Sequence, residues 1–169
     1  IEESTWAGRI YSLPFDTDTR GLYYRKADFR EVGLDPEAPP TTIDELEMVM
    51  AKLTKRISER RFERIGLFPW LGQGWHYTWG WAFGGEFYDY DARKLTVNEP
   101  RIVESFAWQQ KIAQEYGIAA IQGFASAFGS EAQDPFISGK ISMIVDGDWK
   151  IAGLERFGPA VEYGVGRIP

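Results

Sequence analysis

Cysteine is absent from the 169 residues, which excludes disulfides, thiolate-bound metals and a cysteine nucleophile. Histidine occurs once, as His76. No serine elbow and no second histidine lie near it, so a Ser-His-Asp triad or a zinc site lacks its parts. It reads as an ordinary loop or helix residue. The glycines form neither a Gly-x-Gly-x-x-Gly before a helix nor a Walker sequence, and a nucleotide site has no support. No apolar run approaches the length of a membrane span, and no stretch has the charged-then-apolar layout of a signal peptide. Basic residues are also short, with 19 Lys and Arg against 25 Asp and Glu and a net charge of −6. That balance argues against nucleic acid as a partner, which needs a basic face.

What remains is 44% hydrophobic and 26% charged, the composition of a soluble globular protein. The length suits one domain able to bury roughly 70% of its unfolded surface. Aromatics are dense: seven Trp, eight Tyr and eleven Phe. Trp70, Trp75, Trp79 and Trp81 fall within one short segment. The chain begins at Ile1 with Glu2 and Glu3 behind it, which reads as a processed chain or a piece of a longer one.

Arg9–Leu13 and Gly21–Tyr24 read as short strands around a polar loop. Lys26–Gly33 reads as a short helix and the proline-rich 34–41 as a loop. Thr42 opens a helix with a capping box, Glu45 reaching back to the cap N–H. Ile43, Leu46, Val49, Met50 and Leu53 form its apolar stripe. Lys55–Arg64 has no apolar period and reads as a solvated helix end rather than a phosphate or membrane patch. Ile65–Phe68 is a predicted strand, and Glu86–Tyr90 with Lys94–Val97 a hairpin around Asp91-Ala92-Arg93. Asn98 is expected to cap a long helix with Pro100 in its first turn, Gly117 at its end, and Ile102, Phe106, Ala113 and Tyr116 inward. Ala125–Gly139 reads as partly helical, a second helix starting at Pro135 with Asp134 as cap. Ile141–Val145 is a strand, Gly147-Asp148-Trp149 turns into a helix to about Phe157, and Tyr163–Ile168 is a last strand. This alternation predicts an α/β fold with a mixed, partly parallel sheet.

Three Asp-x-Asp pairs occur, Asp16/Asp18, Asp89/Asp91 and Asp146/Asp148. Such pairs can hold a divalent cation or supply acid and base carboxylates. None has the glycine and closing glutamate of a calcium loop, and turn-forming aspartates explain them with fewer assumptions. No metal and no cofactor is expected. The aromatics are the stronger signal. Sugar rings stack their C–H faces on indoles and phenols, and their hydroxyls seek carboxylates and guanidiniums. Trp75, Trp79 and Trp81 beside Gly84-Gly85, and Trp149 beside Asp148, have that composition. Trp79 and Phe83, four apart on a helix, are expected to face the core instead, and Trp70 with them.

Longer segments carry a resemblance. GRIYSLPFDTDTRGLYYRK (Gly8–Lys26) resembles the crossover of the family 1 extracellular solute-binding proteins of ABC importers, the maltose-binding-like group. In that crossover Arg25 stands where Asn is usual, and Ala27–Thr54 resembles the family's "F-x-x-A-G-L-x-x-P-P-x-T-W-D-E-L" block, with Ile43 where Trp is usual. Ser138–Trp149 resembles its "G-K-x-A-M-x-x-x-G-x-W" block, and Tyr163–Pro169 its return strand. With the strand, aromatic helix and Gly84-Gly85 that follow Thr54 in the family's order, five blocks in order cover essentially the whole chain.

The resemblance implies a periplasmic-binding-protein-like α/β lobe, its mixed sheet flanked by helices on both faces. Residues 1–169 would form the second of two lobes, with 1–14 and 163–169 as hinge strands running close together. It implies a non-catalytic protein outside the cytoplasmic membrane, extracellular or periplasmic and lipid-tethered in the full-length form. Its partners would be a sugar or oligosaccharide, the first lobe of the same protein and the ABC permease, and the full-length protein would be a monomer. Carried over by motif, Asp18 would accept sugar hydroxyls, Trp149 would stack on a ring, and Trp75 would lie near a second stacking position. Thr19, Arg20 and Asp148 would be neighbours, with Arg20 alternatively a hinge salt-bridge residue. Two other readings stay open: the same fold binding a non-sugar solute such as a polyamine, and a carbohydrate-active enzyme fragment using an Asp pair.

Overall fold

A computed structural model describes residues 4–13, 17–59, 61–126, 128 and 134–169. Nine strands and six helices are seen among them, in the order β1 (Thr5–Trp6), β2 (Arg9–Ile10), β3 (Arg20–Arg25), α1 (Lys26–Glu31), α2 (Ile43–Leu53), β4 (Lys55–Ser58), β5 (Arg61–Gly72), α3 (His76–Ala82), β6 (Tyr88–Asp89), β7 (Lys94–Leu95), α4 (Pro100–Tyr116), α5 (Ile118–Ala125), β8 (Ile141–Gly147), α6 (Trp149–Phe157) and β9 (Tyr163–Gly166).

Five strands build the central sheet in the order β4-β5-β8-β3-β9. β5 and β8 are parallel, whereas β8 with β3, β3 with β9 and β4 with β5 are antiparallel. The predicted mixed α/β sheet is therefore present. Every residue of β8 is buried, which requires cover on both faces of the sheet. Part of that cover comes from α1, whose Asp28 accepts a 2.8 Å hydrogen bond from Ser142 Oγ on β8. Against β5 lies α2, where Thr54 Oγ1 at its C-cap accepts from Gly66 N at 2.9 Å.

The apolar stripe predicted for α2 is the buried one: Leu46, Val49, Met50 and Leu53 all face the core. Thr42 caps it, its Oγ1 accepting from Glu45 N at 3.2 Å. The Glu45 carboxylate reaches one residue further than expected, to Thr41 N and Thr41 Oγ1, both at 2.8 Å.

Five expectations are corrected. Lys55–Arg64 is not a helix end but the turn and flanks of the β4–β5 hairpin. Most of its charges are exposed as expected, but Arg56 lies 4.4 Å over the Phe62 ring across the hairpin, and Arg64 is buried against Asp28 and Glu31 of α1. Glu99, not Asn98, is the N-cap of α4. Phe106 is 44% exposed, while Trp108 and Ile112 take the inner face. The chain also turns helical again directly after Gly117, as α5. Gly117 at φ 83° ends one helix and caps the next. Pro135 begins a single turn rather than a helix, with Asp134 Oδ1 accepting from Phe136 N and Ile137 N at 2.8 and 3.1 Å.

Glu31 bridges α1 to the hairpin through Lys55 and through Arg64 at 2.7 Å. The bonds from Lys55 and then Arg64 hold its carboxyl below the ordinary carboxylate range. A folded-state pKa below the unfolded one stabilises fully above the unfolded value and loses that stabilisation as pH falls through the folded value. Glu31→Gln should therefore flatten the acid side of the stability curve. Urea midpoints measured from neutral to acidic pH check this: equal acid slopes for variant and parent would contradict it.

Candidate ligand-binding site

Three segments meet at one end of the sheet. β3 starts there, and β5 and β8 finish there, with Arg20 opposite Gly147 and Gly72 opposite Val145. Chain ends of open α/β sheets are where side chains can be presented to a ligand.

The turn from β5 into α3 needs a glycine. Gly72 has φ 64°, and any Cβ there would strike the Val145 carbonyl oxygen. Gln73 N then donates to Val145 O at 2.8 Å, which anchors the segment leading to α3. Within α3 the faces divide cleanly. Trp79 is fully buried, its Nε1–H donating to Pro69 O at 2.6 Å and its ring 4.7 Å from Trp108. His76, the first residue of α3, pairs with Gln109 at 3.0 Å and stacks on Phe106. The opposite face carries Tyr77 and Trp81, four apart, with ring centroids 5.2 Å from each other.

A groove of about 690 Å³ opens beside that face, lined by Asp18, Arg20, Tyr77, Thr78, Trp81, Ala82 and Ile168. Arg20 is its hub. Nη1 donates to Tyr77 Oη at 2.7 Å and to Thr78 Oγ1 at 3.3 Å, and Nη2 donates to Asp18 Oδ2 at 3.4 Å. The guanidinium also lies 5.3 Å from the Tyr77 ring centre. The bond to Tyr77, and the charge of Asp18 after it, raise the Arg20 pKa above its ordinary value and keep it protonated. Trp81 is 58% exposed in this wall. The arrangement offers an acceptor, hydroxyls and aromatic faces, the groups that bind a polyhydroxylated ring.

The expected site residues fall into two clusters. Asp18 and Arg20 share the groove. Trp75 stands at its margin as the α3 N-cap, 54% exposed, with its ring 6.1 Å from Tyr77 and its Nε1–H on Gln73 Oε1 at 2.8 Å. Thr19 is exposed and not among the groove's walls. Trp149 and Asp148 lie at the neighbouring end of β8. Asp148 is the exposed N-cap of α6 with no side-chain cap bond. Trp149 is 48% exposed and folds over Gly147, where an added Cβ would collide with the indole. It lines a separate depression of about 200 Å³ with Asp134, Asp146 and Lys150. Behind this edge the Tyr23 hydroxyl donates to Gly147 O at 2.9 Å, and burial, then the Asp146 charge, pushes its pKa up.

Sequence reasoning missed Tyr77, Thr78 and Ile168 as groove residues. The four-residue spacing of Tyr77 and Trp81 was the available signal. Of the Asp pairs, Asp89 closes its turn by accepting from Ala92 N at 2.7 Å, and Asp146 is buried against Lys150. Asp16 lies outside the described residues. No three His, Asp or Glu gather into a metal-binding group among the described residues.

The sequence matches the family model for bacterial extracellular solute-binding proteins over residues 1–169. The sn-glycerol-3-phosphate-binding periplasmic proteins of Escherichia coli (strain K12) and Salmonella typhimurium (strain LT2) are each 28% identical, covering 96% of this chain and 36% of those proteins. The chain thus spans about a third of the length of these curated relatives. Among solved structures, CpMnBP1 is 34% identical, with TM-scores of 0.87 with mannobiose bound and 0.89 with mannotriose bound. Those matches cover 99% of this chain and 43% or 44% of that protein. A solute-binding protein of an ABC transporter from Thermotoga lettingae, bound with α-D-tagatose, is 25% identical with a TM-score of 0.71, over 98% of this chain and 43% of that one. On a match across the whole sequence and a shared fold, the chain belongs to the bacterial extracellular solute-binding proteins, which are binding proteins rather than enzymes.

Proposed function

We propose that this chain is one lobe of the solute-binding component of an ABC importer, and that it binds a sugar or oligosaccharide in a cleft shared with a first lobe. Residues 1–14 and 163–169 would serve as the hinge. The full-length protein would work outside the membrane, tethered by a lipid, as a monomer that delivers its solute to the permease. The observation that carries this reading is the groove at the sheet end, where Asp18 and Arg20 face the exposed rings of Tyr77 and Trp81. The likeness to CpMnBP1, a protein solved with mannobiose and mannotriose, supports an oligosaccharide as the class of solute. Closure would be stabilised by contacts that only the closed form can make. Thermal shift of the full-length protein against a panel of neutral sugars, including mannobiose and mannotriose, tests it. A raised melting temperature with at least one sugar is expected, and none with any sugar would refute the reading.

Within that reading Trp149 stacks on a sugar ring from the β8 side while Asp18 accepts hydroxyl hydrogens from the β3 side. Trp149→Ala in the full-length protein should then cost about 2 kcal/mol of binding, roughly thirtyfold in affinity. The melting temperature should change little, because the indole is half exposed. Calorimetry and melting on the same variant decide the matter. Lost stability with unchanged affinity would remove Trp149 from the site.

A further inference from the structure

We infer that the Asp18–Arg20 pair tunes the groove to uncharged polyhydroxyl ligands and against phosphate esters. This rests on the reading that the groove holds a solute. Its walls carry one cation and one anion, and the two differ in presentation. The Asp18 side chain is 43% exposed, that of Arg20 only 21%. Arg20 Nη1 is committed to Tyr77 and Thr78, Nη2 donates to Asp18, and Nε is buried without a partner. The carboxylate is therefore the more accessible of the two charges, and the guanidinium behind it already makes three hydrogen bonds within the protein.

The neighbouring strand end repeats the pattern. Lys150 is buried between Asp134 Oδ2 at 2.5 Å and Asp146 Oδ2 at 3.4 Å. The charge left exposed there is Asp148. Arg167, next to Ile168, is exposed but is not among the groove's walls. Among the described residues, the cations that line the groove and its neighbouring depression, Arg20 and Lys150, are thus each paired with an acid, and Arg167 is exposed beside the groove without lining it.

A sugar hydroxyl is a donor as well as an acceptor, so it can give its hydrogen to Asp18. A phosphate monoester carries about −1.5 to −2 charges near neutral pH and has mainly acceptor oxygens. It would meet like charge at Asp18, with the guanidinium behind it already donating to Tyr77, Thr78 and Asp18 and its spare Nε–H buried. The pair therefore acts as a charge filter, with Arg20 as the positioning residue that fixes the Asp18 carboxylate and the Tyr77 ring.

The test is calorimetry on the full-length protein with mannobiose (or whichever panel sugar binds), mannose 6-phosphate and inorganic phosphate. The parent should bind the neutral sugar at least a hundredfold more tightly than either phosphate. Asp18→Asn removes the anion while its amide oxygen can still accept from Arg20 Nη2, so the preference should fall at least tenfold, chiefly through gained affinity for mannose 6-phosphate. Asp18→Ser serves as a second variant, and melting temperatures confirm that both are folded. Equal binding of sugar and sugar phosphate by the parent, or an unchanged preference in both variants, overturns the filter while leaving sugar binding intact. Failure of every neutral sugar to bind overturns the functional reading itself, and the filter with it.

Discussion

Trp79→Ala is expected to lower the stability of the protein by about 3–5 kcal/mol. The ring is fully buried and packs at 4.7 Å from Trp108, so truncation leaves a cavity that two helices must span. Its Nε1–H also satisfies Pro69 O at 2.6 Å. Losing that donor orphans a carbonyl inside β5, which carries a penalty of its own. A domain of this kind has only about 5–15 kcal/mol to lose. Since Tyr77, Thr78 and Trp81 ride on the same helix, the groove should loosen with the core. Trp79→Phe keeps the larger part of the bulk but loses the donor and one ring, so it should cost less than the alanine change, about 1–3 kcal/mol. Urea unfolding of the two variants separates the contributions. A loss below about 1 kcal/mol for the alanine variant would contradict the packing described.

The second large effect is expected at Asp28, a carboxylate buried between two arginines. It lies 3.1 Å from Arg64 Nη1 and 3.4 Å from Arg25 Nε, and it accepts from Ser142 Oγ at 2.8 Å. Asp28→Ala leaves those guanidiniums facing each other without the charge between them. Removing one partner of a buried pair costs about 3–5 kcal/mol. Arg64 keeps Glu31 at 2.7 Å and Leu53 O at 3.1 Å, so the lower half of that range is expected. The double variant Asp28→Leu/Arg64→Met should recover part of the loss, because it removes the more deeply buried of the two stranded guanidiniums, while Arg25 keeps its bond to Phe136 O at 2.5 Å. A double variant no more stable than Asp28→Ala would show that the pair does more than neutralise itself.

These two sites also show what the sequence could and could not reveal. Ile141–Val145 and Gly21–Tyr24 were legible as strands because each is a short apolar run bounded by turn residues. The α2 helix was legible from its stripe and its Thr42 cap. The β4–β5 hairpin was not, because β4 has no buried position and the alternation on β5 runs through a charge: Arg64 is inside only by virtue of Asp28 and Glu31, more than thirty residues away. Gly117 hid α5 by serving as a stop and a start at once. For the site, residue type pointed to Asp18 and to the tryptophans, since carboxylates and indoles are what sugars require. Residue type could not say which of them share a wall. Tyr77 and Ile168 join Asp18 only through the strand order, which brings the start of β3, the segment after β5 and the end of β9 to one place. The same order leaves Trp149 in an adjoining depression rather than in the groove.

The pairing of β3 with β9 has one more consequence. Leu22 lies opposite Gly166, and the two strands run antiparallel. The chain therefore enters the sheet at Arg20 and leaves it after Gly166 side by side, with Asp18 and Ile168 both on the groove. A unit whose way in and way out are adjacent can be spliced into another polypeptide at a single surface point without breaking the host's own core. Any tug on either flanking segment would therefore be felt first at the rim of the groove, where Asp18 and Ile168 sit.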